Sequence, residues 1–170
     1  MPGMRSLSFR ARMTAACASA VVLALLMSTT AEAVPWNSSS NPLTVTGYGS
    51  TGEGYGSFYI STGSSGTRYK FRVRQRIDNA DNHQVYANLE YWSNTGICLA
   101  PAFFSCNAPY QKHATDVTDR TTKSSYVTLY ETAPIDPYAS FHRGRVRMRL
   151  DIPWRFDPAS GWTVTEGIQY

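Results

Sequence analysis

Apolar and polar residues alternate along much of the chain after residue 42. Successive side chains on a β-strand point to opposite faces, so strict alternation predicts a strand with one buried side. The stretch RYKFRVRQR, residues 68–76, places Tyr69, Phe71, Val73 and then Ile77 between cations. QVYANLEYW alternates in the same way through Val85, Ala87, Leu89 and Tyr91, and RGRVRMRLDIPW does so through Val146, Met148, Leu150 and Ile152. LTVT, Phe58-Tyr59-Ile60, SYVTLYET and GWTVTEGIQY predict further strands, the last with Trp162, Val164, Glu166 and Ile168 on one side.

Between these runs lie turn signals: TGSSGT, the polar cluster DNADN, and the proline-bearing TAPIDPYASF. Such residues punctuate strands. The strands on either side of DNADN predict a β-hairpin. GYGSTGEGYGS is too rich in glycine for a helix and reads as a flexible segment. From Ser93 to Lys123 the alternation is lost for about thirty residues, a length that marks a functional loop or conceals a short strand or helical turn. No segment carries a helical period. About six or seven strands separated by turns predict an all-β, single-domain antiparallel β-sandwich, with a β-barrel as the alternative.

The first residues do not belong to that pattern. Arg5, Arg10 and Arg12 precede the apolar run AACASAVVLALLM and the triplet Ala31-Glu32-Ala33. This order of charge, apolar core and small-residue site predicts a secretory signal peptide over 1–33. The run is about a dozen residues, short of the roughly 18–20 that span a bilayer, so no membrane span is expected in the mature chain. Residues 34–42, VPWNSSSNP, read as an N-terminal linker, and 43–170 as the β-domain. The expected localisation is secreted and extracellular.

That leader changes the charge. The full sequence has 16 cations, 12 acids and a net charge of +4. Removing Arg5, Arg10, Arg12 and Glu32 takes the cations to 13 and the acids to 11, so the mature chain carries only +2. It also leaves Cys98 and Cys106, which an oxidising compartment predicts as one disulfide.

Nine of those 13 cations fall in two rows: Arg68, Lys70, Arg72, Arg74 and Arg76, then Arg143, Arg145, Arg147 and Arg149. Alternate strand residues stand about 6.6–6.8 Å apart on one face. Unit charges at that spacing repel by roughly 0.6 kcal/mol in water, so one exposed row is tolerable. Two adjacent rows would need acids or a bound anion between them. Tyr86, Trp92 and Tyr130 are expected on the same polar face, where arginine stacks on aromatic rings. If both rows emerge from one side of a sheet, Arg72, Arg74, Arg145 and Arg147 would contact an anionic polymer and Tyr86, Trp92 and Tyr130 would stack on it. This predicts a non-catalytic binding module for an anionic polysaccharide or cell-wall polymer. Nucleic acid fits less well, because +2 provides little long-range attraction.

A protein partner is the second expectation. Leu99, Phe103 and Phe104 lie on the loop closed by Cys98 and Cys106, and a preorganised apolar tip is the form an inhibitor loop takes. A small secreted hydrolase is the third. Its motifs are weak: no G-x-S-x-G is present, and His83, His113 and His142 are scattered. Glu53, Glu90, Glu131 and Glu166 single out no catalytic pair. No catalytic residue is predicted. Gly47 to Gly52 fits G-x-G-x-x-G but lacks the following helix. Asp78 to His83 has too few carboxylates for calcium. No metal or other cofactor is expected.

Overall fold

A computed structural model describes residues 33–78, 81–94 and 109–169. Most of the predicted signal peptide, and Cys98, Leu99, Phe103, Phe104 and Cys106, lie outside the described residues. The described chain is all-β, as the alternation predicts. Its strands are β1 (Val34–Pro35), β2 (Leu43–Gly47), β3 (Ser50–Gly63), β4 (Gly66–Asp78), β5 (Gln84–Asn94), β6 (Gln111–Val117), β7 (Val127–Pro134), β8 (Phe141–Asp151), β9 (Thr163–Val164) and β10 (Ile168–Gln169). Among the described residues no helix is long and apolar enough to cross a membrane.

The strands form two antiparallel five-stranded sheets. In sheet one the order is β1-β3-β4-β7, with β2 also on β3; in sheet two it is β10-β8-β5-β6, with β9 also on β8. The sheets remain separate, so the barrel alternative is excluded and the architecture is sandwich-like. Phe58, Ile60, Phe71, Val73 and Ile77 from sheet one pack against Val85, Leu89, Tyr91, Val146, Met148 and Leu150 from sheet two. The rings of Tyr69 and Tyr91 stack across this interface at 4.4 Å.

Three sequence expectations change. β4 and β5 do not form a hairpin: β4 lies between β3 and β7, and β5 between β8 and β6. Alternation shows that each strand has an apolar face but not what covers it. Here each covers the other across the sandwich. Second, the glycine-rich segment forms most of the 14-residue strand β3. Gly52 and Gly54 are buried on its inner side, where a Cβ would meet Val85, Leu150 and Met148 of sheet two. Glycine is spaced by two because the opposing sheet comes too close for side chains. Third, residues 34–42, expected as a linker, carry β1, and Trp36 is buried with its backbone N–H donating to the Gly56 carbonyl at 3.0 Å. Ser93 to Lys123 conceals a short strand, β6, one of the outcomes expected of it.

One end of the sandwich holds a buried polar network. The Nδ1 of His142 is 2.7 Å from the Tyr91 hydroxyl, which also accepts the backbone N–H of Asp136 at 3.0 Å. Burial pushes the His142 imidazole below its ordinary 6.5, against a backbone hydrogen bond with Ala139 and the field of Asp136. A depressed folded-state pKa means the stabilisation is complete above about 6.5 and is lost as the pH falls towards the folded value. The melting temperature should therefore begin to fall below about pH 6.5. Calorimetry of His142→Gln should show a flatter limb there. Glu53, held below its ordinary 4.5 by its hydrogen bond to Arg76, adds a loss of the same sign only in more acid solution. An unchanged limb in His142→Gln would rule out this assignment.

Candidate functional site

The two cationic rows lie in different sheets. β4 turns Phe71, Val73 and Ile77 inward and its cations outward; β8 turns Val146, Met148 and Leu150 inward and Arg143, Arg145, Arg147 and Arg149 outward. Because those apolar sides meet in one core, the rows emerge from opposite flanks. The condition that both rows share one surface is therefore not met, and Arg72, Arg74 and Tyr130 do not join Arg145, Arg147, Tyr86 and Trp92 in one site. The sequence places each row on a strand face but does not assign the strands to sheets.

Sheet two keeps Arg145, Arg147, Tyr86 and Trp92 together. Across the β5–β8 ladder Arg143 faces Trp92, Arg145 faces Glu90, Arg147 faces Asn88 and Arg149 faces Tyr86. Rings and guanidinium groups alternate along β8. The Arg143 guanidinium carbon is 3.8 Å from the ring centre of Tyr110 and 5.8 Å from that of Trp92. That of Arg145 lies 5.1 Å from Trp92 and 4.8 Å from Trp162. Arg147 is 4.5 Å from Trp162, and Arg149 is 5.9 Å from Tyr86.

The aromatic neighbours seal the inner part of each guanidinium. The Nε atoms of Arg143, Arg145, Arg147 and Arg149 are all buried without a hydrogen-bond partner. Such packing fixes side chains that otherwise lose considerable rotamer freedom on binding. Glu90 supplies the main acidic contact: its carboxylate accepts from Trp92 Nε1 at 2.9 Å, Arg145 Nη1 at 3.3 Å and Lys112 Nζ at 3.4 Å. Arg149 Nη2 donates to the Asp157 carbonyl at 3.4 Å. The side chains of Arg143 and Arg147 have no hydrogen bond or ion pair among the described residues. The face therefore retains a cationic surplus on a preorganised row.

Tyr86 is a less available platform than its position suggests. It is only 7% exposed, and its hydroxyl donates to Asp157 Oδ2 at 2.9 Å. Arg72, Arg74 and Tyr130 sit on sheet one, where Arg72 is directly opposite Tyr130 in the β4–β7 ladder. Tyr130 is 60% exposed.

Trp162 and Tyr110 complete the ladder, and sequence parity did not assign them to it. Val164 is exposed and Ile168 is buried, so the alternation changes phase between β9 and β10. Trp162 faces the arginines and does not share a side with Ile168. Tyr110 lies in the stretch where alternation was lost. Trp154 and Phe156 carry no signal in the alternation either. They are fully exposed on the turn after β8, which is tied back by the Arg155 N–H to the Ile152 carbonyl at 3.2 Å.

His113 Nε2 is 3.6 Å from Asp136 Oδ2. Among the described residues no cluster of His, Cys, Asp and Glu is arranged to hold a metal ion.

The fold and this face together define a two-sheet all-β protein with an arginine–aromatic ladder on one outer surface. Scans against family models, curated proteins and solved structures each found no match.

Proposed function

We propose that the chain is a secreted, non-catalytic binding module that holds an anionic polysaccharide or cell-wall polymer along the β8 face. The observation that carries this reading is the row Arg143, Arg145, Arg147 and Arg149, interleaved with Tyr110, Trp92, Trp162 and Tyr86. The rings hold the guanidinium groups in place and shield their Nε atoms. Outer Nη atoms then meet sulfate, carboxylate or phosphate groups, which arginine binds through paired N–H donors. An extended chain suits a linear row, and the half-buried rings of Trp92 and Trp162 lie along it.

Retention on immobilised dextran sulfate tests this reading. It should weaken steeply as salt rises, because binding releases counterions. Arg147→Glu should lower affinity by roughly tenfold or more, as expected for losing a charge-assisted hydrogen bond of about 1.5–3 kcal/mol. Arg145→Glu combined with Arg147→Glu should abolish retention. Binding that ignores both salt and these substitutions would exclude the ladder as a polyanion site.

A further inference from the structure

The opposite face carries a second, smaller constellation. Ser39, Tyr55, Ser57, Arg72 and Arg74 are among the residues that line an open, mostly apolar pocket of about 270 Å³ on sheet one. No carboxylate lines it. Arg74 is held in place: its Nη1 donates to the Tyr55 hydroxyl at 3.0 Å, and its guanidinium carbon lies 5.6 Å from that ring's centre. Its Nε is buried without a partner. Arg72, the adjacent outward residue on β4, is exposed and has no hydrogen bond or ion pair among the described residues.

Arg76 bonds Glu53 at 2.9 Å, and Arg68 donates to the Thr132 carbonyl at 3.2 Å. Arg72 and Arg74 have no acid partner among the described residues. Ser39 and Ser57 add neutral hydroxyls to a lining that is otherwise mostly apolar.

We infer that this pocket is an independent anion site and that one molecule bridges two polyanion chains, one on each flank. This inference rests on the proposed polymer-binding role of β8 and adds a second valence to it. The physical basis is topological. Cations on opposite outer faces cannot readily engage one short ligand, but each can take a separate chain. The pocket would receive one sugar unit of its chain against its mostly apolar lining, with the unit's sulfate, carboxylate or phosphate group contacting Arg72 and Arg74. Two weak sites on one rigid body become effective on a network, where the second attachment is intramolecular.

Calorimetric titration with a short sulfated oligosaccharide measures the stoichiometry, and light scattering with long dextran sulfate measures bridging. Wild type should bind two equivalents and give a turbidity maximum near charge balance. Arg72→Glu with Arg74→Glu should leave one equivalent and no turbidity maximum. Arg145→Glu with Arg147→Glu should also leave one equivalent, now on the other face. Arg72→Glu alone guards against misfolding, since Arg72 has no packing role to lose; it should reduce the second equivalent at least tenfold. A single wild-type equivalent that survives Arg72→Glu but is lost with Arg145→Glu and Arg147→Glu would overturn bridging and leave the ladder reading intact. No binding by wild type would overturn both.

Discussion

Gly56→Ala should cost on the order of 4 kcal/mol or more, among the largest effects expected of a single substitution. In an ordinary strand, replacing glycine with alanine gains roughly 0.5–1 kcal/mol by restricting the unfolded chain. The opposite sign is expected here because a Cβ on Gly56 would fall inside the carbonyl of Arg72 on the neighbouring strand, and 2.9 Å from Cζ2 of Trp36. A carbonyl cannot rotate aside as a side chain can. β3 and β4 would have to separate locally, and the bond from the Trp36 N–H to the Gly56 carbonyl would be strained. Urea unfolding measures the cost, with Gly63→Ala as the comparison, because a Cβ there meets nothing within 4 Å. Equal midpoints for the two variants would show that the close approach at Gly56 is not real. The substitution also tests the sheet-one pocket, since Gly56 forms part of its wall.

Gln75→Glu should destabilise the protein by about 3 kcal/mol or more at neutral pH, the scale of an unpaired buried charge with lost hydrogen bonds. Gln75 is fully buried on the inner side of β4. Its Nε2 donates to the Val85 carbonyl at 3.1 Å and the Asp119 carbonyl at 2.8 Å, while its Oε1 accepts from the Thr118 hydroxyl at 2.9 Å. Thr118 in turn accepts the Ala87 N–H at 2.9 Å. One amide thus ties sheet one to the central strand of sheet two. A carboxylate cannot donate to either carbonyl and has no cation among these partners. Its folded-state pKa must rise, so its deficit against wild type is greatest at high pH. The deficit shrinks as the pH falls towards the ordinary glutamate value of about 4.3, where a protonated acid can donate again. Denaturation at neutral and mildly acid pH measures this difference. Gln75→Leu, with no titrating group, should show a deficit of about 2–3 kcal/mol that does not follow pH. A pH-independent deficit in the glutamate variant would contradict the buried network.

The alternation around Arg68–Arg76 and Arg143–Arg149 showed which side chains face water, because strand geometry fixes that parity locally. It could not show that the two rows face away from each other. The same limit affected β4 and β5: adjacent, amphipathic and joined by a polar turn, they met every local requirement of a hairpin yet pair with other strands. Gly52, Gly54 and Gly56 carried a readable signal in their spacing of two, since glycine at alternate positions with Glu53 and Tyr55 between them fits a strand with one crowded side. Trp162 carried no such signal. Its place beside Arg145 and Arg147 depends on how the chain returns along the edge of β8.

Residue order alone determined the all-β class, most strand positions, and which side of each cationic strand is polar. These follow from backbone geometry and the burial of apolar surface, both of which act over a few neighbouring residues. Tertiary structure alone decided sheet membership, the assembly of Trp92, Trp162 and Tyr110 around the arginines, and the separation of the two rows. Those outcomes depend on which apolar face covers which, a choice made between segments distant along the chain and therefore absent from any local pattern.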